Sequence, residues 1–451
     1  MVSTGAVDGL ISGMNTSQVV AQLMQLEAQP QTNLKSQVSS QNLIISAYQA
    51  LNSRMAALQT AAEAFTAPNA LTPTNPTWQA VKATSSSTSV TATATTGATV
   101  GGLAFDVTAL SQSQLSTVKI SSPNAVTTAN ALDITIGATT KHITVDPAKN
   151  TAQGVADAVN AAKIGVTAAV VTTSTGDTVL QFTGTKTGTA NGFSITGLTD
   201  STTNVRAAAD AKLTVGDPAA GGYVVSSSTN TFTNLLSNVT LNVSKVETGV
   251  TVAVAADPDS IADKMQALVD SANGALAQIG QYSTYNSASK SGGPLVGDFT
   301  ARQLQSSILS KASKGLDGYG SFKQFGVQLN KTGKLTFDRS AFLVAYSADP
   351  TKVQNGVANG LAKAFADVAD GATDSITGSL TTAIQGANAR VKDLKNRITD
   401  WDGRLAMRQQ MLKRQFSAME SALGTTKNQA TWLAGQIAGL PSWGGSSSSG
   451  N

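Results

Sequence analysis

A multidomain α+β protein is predicted, with a coiled-coil stalk built from both chain ends and β-rich head domains inserted between them. Three observations predict it. Apolar residues near each terminus recur at alternating spacings of four and three, and the middle of the chain switches to a period of two. The chain also has 451 residues at 41% hydrophobic content, more than one core of roughly 250–300 residues serves.

The first helical pattern covers residues 16–65. Thr16 or Ser17 can cap it, Val19, Val20, Leu23, Met24 and Leu26 form its first stripe, and Pro30 interrupts it. Beyond the proline, Leu51, Met55, Leu58, Ala62 and Phe65 follow the spacing of a coiled-coil seam. The outer face is Gln, Ser and Asn, so few ion pairs support this helix without a partner. Residues 1–42 are expected to form a mobile assembly helix, with a stripe of Leu10, Met14, Val19, Leu23 and Leu26.

Residues 78–256 are rich in Thr, Val, Ser and Gly, with turn signals at Gly101-Gly102, Gly176-Asp177 and Gly221-Gly222. Val239, Leu241 and Val243 alternate with polar residues, and after Lys245–Gly249 so do Val250, Val252 and Val254, which predicts a hairpin. Residues 151–163 break the pattern with a short amphipathic helix, so an α+β unit is inserted here. Residues 77–118 and 205–258 are assigned to one head domain and 119–204 to a second one inserted in it.

Asp257 and Pro258 open the next helix, with the stripe Ile261, Met265, Leu268, Ala272, Leu276 and Ile279. A helix near residues 299–311, a hairpin over 325–337 and short helices near Ala341 and Leu361 complete a mixed unit. The strongest seam follows: Leu380, Ile384, Ala387, Val391, Leu394, Ile398, Trp401 and Leu405 keep strict four–three spacing. Arg408 takes the next slot, and the step from Leu412 to Phe416 is a stutter. Residues 43–76 and 259–424 are assigned to the stalk domain, its coil expected to pair 51–65 with 380–405. Residues 425–451 are a C-terminal assembly helix carrying Trp432, Leu433, Ile437 and Leu440, then a Gly/Ser tail.

The composition argues against catalysis. There is no Cys and one His, His142, in an alternating segment that reads as a strand edge. Ser287–Lys290 and Lys331-Thr332-Gly333 match acyl-transfer motifs, but the same patterns recur at Ser116–Lys119 and Lys186-Thr187-Gly188, with no S-D-N between. No enzyme, cofactor or metal site is expected. The net charge of +4 is accounted for by residues 390–420, with eight basic against four acidic side chains. No broad basic face remains for nucleic acid. No apolar run of membrane-spanning length is present, and no cleaved signal is expected at the N-terminus.

Gly9-Leu10-Ile11-Ser12-Gly13-Met14-Asn15-Thr16 and the stripe after it resemble the opening of the flagellar filament cap family, hook-associated protein 2. Where Ile11, Met14 and Asn15 stand, that family usually has Ala, Leu and Asp. Val107–Gln112 is similar to the strand with which the family's N-terminal region ends, and Gly154–Asn160 with Val166–Val170 to a motif shared by flagellins, hook-associated proteins and caps. Residues 257–273, the hairpin over 325–337, Arg404-Leu405 and above all Arg414-Gln415-Phe416-Ser417-Ala418-Met419-Glu420 resemble its C-terminal region.

The resemblance implies an extracellular structural protein, exported through the flagellar type III apparatus with a dedicated chaperone. It would assemble as a homo-oligomeric, pentamer-like ring at the flagellum tip, where it would help flagellin fold and insert. A hook–filament junction protein, or an adhesin binding host glycans, are the alternatives.

Overall fold

The structure is a computed structural model and describes residues 13, 15–66, 75–233, 235–288, 290–315 and 320–439. Its helices are α1 (Thr16–Glu27), α2 (Gln29–Glu63), α3 (Ala152–Ala162), α4 (Pro258–Ser283), α5 (Phe299–Lys314), α6 (Arg339–Ala348), α7 (Pro350–Gly356), α8 (Lys363–Thr373) and α9 (Ser379–Ala438). The chain divides into two compact units: Met1–Thr66 with Met265–Asn451, and Ala67–Lys264. The multidomain α+β class expected from the sequence is what is found, with helices from both chain ends in the first unit and every sheet of three or more strands in the second.

In the first unit α2 and α9 pack side by side and antiparallel. Gln31 donates from Nε2 to Asp402 Oδ1 at 2.5 Å, Arg408 Nε donates to Glu27 Oε1 at 2.8 Å, and Ile45 packs with Ala387 and Val391. Rising numbers on one helix thus meet falling numbers on the other. At about 1.5 Å per residue this register brings Leu51 level with the first turn of α9 and carries Met55, Leu58 and Phe65 past its end. There α2 packs on α8, and Thr373 Oγ1 donates to Gln59 Oε1 at 3.1 Å.

The expected pairing of 51–65 with 380–405 is therefore corrected: α9 from Val391 onward faces the N-terminal half of α2. α2 also runs unbroken through position 42, with Gln31 and Leu34 buried, so no structural boundary falls there. The helix break lies at Ala28, with Pro30 inside the first turn of α2, where a missing N–H is harmless. Asn15 caps α1, in place of Thr16 or Ser17, by accepting from Gln18 N at 2.9 Å.

The rest of this unit forms a phenylalanine-rich core: Phe322, Phe325, Phe342 and Phe365 are all buried, with Ile308 and Leu361. Aspartates start its helices. Asp298, Asp338 and Asp349 accept from the backbones of Ala301, Ala341 and Lys352. Asp298 also accepts from Tyr48 Oη at 2.5 Å, tying α2 to the start of α5. Burial, then this carboxylate, holds the Tyr48 phenol above the ordinary tyrosine value. Asn273 of α4 bonds both backbone groups of Leu335, closing the free edge of the hairpin Val327–Leu329 with Leu335–Phe337.

The second unit holds two cores. In the first, a five-stranded antiparallel sheet runs in the order Val81–Ser85, Glu247–Ala256, Gly101–Ala109, Ala211–Val215, Tyr223–Ser227. A three-stranded sheet runs Thr231–Phe232, Val239–Val243, Val90–Ala94. Phe105, Val107, Leu213, Val250 and Val252 of the larger sheet share one core with Val90, Phe232, Val239 and Leu241 of the smaller. Val239–Val243 and Val250–Val254 therefore lie in different sheets, and the expected hairpin is not formed. Gly101 and Gly102 open a strand where a turn was expected.

The second core lies between a four-stranded sheet with Thr178–Gly184 at its centre, a three-stranded sheet with Ala131–Ile136 at its centre, and α3. Val155 and Val159 of α3 pack with Leu132, Ile134, Leu180 and Phe182.

Two predictions follow from these contacts. Leu394 is buried in the coil, with Arg390 and Arg397 lining the same groove, so Leu394→Asp exchanges an apolar seam contact for a carboxylate that must be desolvated even with those cations near, and lowers the stability of the helical unit by about 2 kcal/mol or more in denaturant titration. In the β-rich unit, hydrogen bonds from Lys119 to Asp177, from Ser121 to Asp200 and from Thr189 to Asp210 hold these carboxyls below the ordinary aspartate value of 3.8. Because the folded values are the depressed ones, their stabilisation is complete above pH 3.8 and is lost as pH falls through the lower folded values. Urea midpoints followed by circular dichroism should drop over that range, and less steeply in Asp200→Asn/Asp210→Asn.

Candidate assembly interface

The feature with the clearest functional geometry is the long α9. It has 60 residues and so spans about 90 Å. Its burial is graded along its length. Leu380, Val391 and Leu394 are buried; Ile384, Ile398, Trp401 and Leu405 are half-buried; Leu412 is the last buried residue of the helix; from Thr425 to Gly439 every residue is exposed. The reason is the supply of partners. α2 covers the first half, and α1 continues along α9 after the break at Ala28, with Val20 buried and Glu27 on Arg408. α1 opens at Thr16, so the described chain offers α9 nothing beyond its reach.

Two apolar stripes are left in the open. On α1, Val20 is buried, with Met24 and Glu27 half-buried, while Val19, Leu23 and Leu26 stand on the adjoining face, Leu26 at 71% exposure. On the tail of α9, Leu433 and Ile437 lie one turn apart with Trp432 at their edge, at 54%, 61% and 66% exposure. Leu10, Met14 and Leu440 fall outside the described residues. On α2, Leu51, Met55 and Leu58 are buried, as is Phe65 just past its end.

Several residues of this region carry no apolar signal in the sequence. Gln31 occupies a seam slot and is buried, accepting from Lys35 Nζ while it donates to Asp402. With Leu34, Val38 and Gln41 it extends the seam of α2 a further three turns toward the N-terminus. Following the heptad through the glutamines, instead of stopping where Leu and Met stop, would have found it. Arg404 places its guanidinium 5.6 Å from the Trp401 ring centre, holding that aromatic at the seam's edge.

The residues singled out for chemistry are scattered. His142 Nδ1 lies 2.7 Å from Asp133 Oδ1 as an exposed cross-strand pair on neighbouring strands. Ser287 and Lys290 stand in the turn between Tyr285–Asn286 and Ser291–Gly292. Lys331-Thr332-Gly333 is the hairpin turn closed by the Asn330 side chain. Among the described residues no group of three or more His, Asp or Glu could hold a metal ion, and no helix is long and apolar enough to cross a membrane. What the arrangement can do is bind helices.

Sequence comparison agrees with this architecture. The family model for the Flagellar hook-associated protein 2 N-terminus matches residues 12–114, and that for its C-terminus matches residues 208–428. Flagellar hook-associated protein 2 of Escherichia coli K12 is 26% identical over 386 residues, covering 76% of this chain and 78% of the relative. Lateral flagellar hook-associated protein 2 of Vibrio parahaemolyticus is 29% identical over 195 residues, and the match spans 40% of this chain and 43% of that protein. The crystal structure of the D1-D2-D3 domains of the Escherichia coli flagellar cap protein has a TM-score of 0.55 at 24% identity, covering 76% of this chain and 99% of that one, and shares its fold.

The geometry of the tail predicts a separation of stability from assembly. Leu433→Ser/Ile437→Ser removes side chains with no intrachain cover, so the thermal unfolding of the purified monomer should change by no more than about 0.5 kcal/mol. A larger loss would place a partner on that stripe within the chain.

Proposed function

Because the chain belongs to the flagellar hook-associated protein 2 family, we propose that it is the structural cap of the bacterial flagellar filament. It assembles with copies of itself at the distal tip and promotes folding and insertion of arriving flagellin. One structural observation carries the reading: both chain ends present helical stripes, Val19–Leu23–Leu26 and Trp432–Leu433–Ile437, that the described chain leaves exposed, most fully at Leu26 and along the tail. A polar-faced helix gains stability mainly by burying its stripe against a partner, and for a cap those partners are neighbouring subunits and the filament end.

In this reading the ring is pentamer-like, and the chain reaches the tip through the flagellar type III export apparatus without a cleaved signal, escorted by a dedicated chaperone. The absence of cysteine suits a chain that crosses from a reducing to an oxidising compartment. The poverty of charge, 13% of residues against roughly 25% in an average domain, leaves the terminal helices few ion pairs of their own, so their stripes remain available for burial in the assembly. The exposed stripes and the shared fold also fit a scaffold better than a glycan-binding adhesin.

The test uses a strain whose own copy of this gene is deleted and replaced. Complementation with Leu433→Ser/Ile437→Ser should leave cells shedding flagellin into the medium and extending few filaments, while the wild-type gene restores full length. Immunoblots of the medium check that the variant is still exported. Normal filaments with the variant would remove the tail stripe from assembly. Normal filaments with no copy of the gene would overturn the cap reading itself.

A further inference from the structure

The coil of α2 and α9 has an ionic half that the chain does not supply. The inward positions of α9 include Val391, Ile398 and Leu405, and the residue before each is an arginine: Arg390, Arg397 and Arg404, seven apart. Seven residues are two helical turns, so the three guanidinium groups stand in a row on one flank of the seam. In a coiled coil that flank faces complementary charges on the partner helix. Here the opposing helix has none to give, since the single carboxylate of α2 is Glu63, at its far end.

The space between them is an open groove of about 530 Å³, walled by Ser36, Gln37, Ser40 and Gln41 of α2 and by Arg390, Asp393 and Arg397 of α9, with Leu394 also lining it. The serine hydroxyls are turned back onto their own helix, donating to the carbonyls of Thr32 and Ser36 at 3.1 Å each, which leaves that wall low and uncharged. Among the described residues neither Arg390 nor Arg397 has a carboxylate within ion-pair distance. Asp393 lies between the first two arginines and Asp400 between the second and third, so the row of five keeps a surplus of one positive charge, and the arginines alone hold the seam-flank positions. Arg408 shows the complement that is missing: where α1 runs beside α9, Glu27 meets it at 2.8 Å.

We propose that this groove docks a third helix, an acidic amphipathic helix of a partner protein with carboxylates seven residues apart. Its apolar edge would lie over Leu394 and the serine wall, and its carboxylates would meet Arg390, Arg397 and Arg404 in turn. Periodic charge of one sign selects a helix in one register over an unstructured acidic segment. The inference needs only the coil and stands apart from the capping role.

The test uses the full-length protein and a fluorescent, end-blocked synthetic helix of roughly 24 residues, with one glutamate per heptad beside an apolar edge. Two control peptides carry glutamine in place of glutamate, or the same glutamates moved off the seven-residue spacing. The glutamate peptide should bind saturably and at least about tenfold more tightly than either control, weakening as NaCl rises. Arg390→Gln/Arg397→Gln/Arg404→Gln should reduce its affinity by about tenfold or more, a few exposed charge pairs' worth. The isosteric Gln37→Glu/Gln41→Glu should weaken it as well, by placing the chain's own carboxylates opposite the arginines, and decides the matter if the triple variant does not fold. Three results would each overturn the proposal: equal binding of the three peptides, unchanged affinity in the folded variants, or tighter binding of a DNA duplex than of the glutamate peptide. So would monomer–dimer equilibria that shift with the arginines while the peptide fails to bind.

Discussion

Everything in the helical unit depends on the register in which α2 meets α9. The two segments are joined through most of the chain, and Gln31 and Asp402 are separated by 371 positions. Closing a loop of that length costs about 5 kcal/mol beyond the constant term, because the cost grows only with the logarithm of length. Apolar seams alone offset it but do not choose among registers one heptad apart, each of which buries leucines on leucines. The polar pairs choose. A slip of seven residues would strand the buried Gln31 in the seam without Asp402, at about 1–3 kcal/mol, and would part the half-exposed Glu27 from Arg408, at up to about 1 kcal/mol.

The fixed register then distributes the partners. Because α2 ends at Glu63 and the helices run antiparallel, the apolar residues from Met55 to Phe65 must be covered by something other than α9, and α8 is there to do it. At the other end α1 extends the cover as far as Leu412 before its own first turn. A single alignment thus decides which stripes are core and which are left for other molecules. The apolar character of Leu58 and Ile437 is the same; their fates differ by position along the coil.

The sequence makes much of this legible. The four–three spacing from Leu380 to Leu405 and the period-two block between residues 78 and 256 identify the elements, because each reflects one buried face. Pairing is harder to read. Val239–Val243 and Val250–Val254 both alternate, are joined by a short connection, and would bury the same side chains as a hairpin or as strands of two facing sheets. Alternation reports that a face is buried and not what lies on it. Gln31 and Gln41 hide the first turns of the α2 seam for a related reason, since a hydrophobic pattern cannot register a polar residue whose partner is 371 positions away. The flank arginines escape it too, being ordinary surface charges until the helix opposite is known to lack carboxylates.

The exposed end of α9 gains from being continuous with the coil. An isolated segment the length of residues 425–438 would be a marginal helix, because forming the first turn fixes several residues for one hydrogen bond. Here that nucleus already exists in the packed part of the same helix, and each further residue adds one hydrogen bond at close to zero net cost. The tail is therefore helical before it meets a partner, and Trp432, Leu433 and Ile437 are held on their stripe without the burial that usually stabilises one. Association then does not bear the full ordering entropy that a disordered segment would lose on binding. The surface such a tail buries is small, so one contact of this kind is weak. In an assembly where every subunit contributes the same helix, the contacts act together, and linked weak sites give a stable structure that single ones cannot.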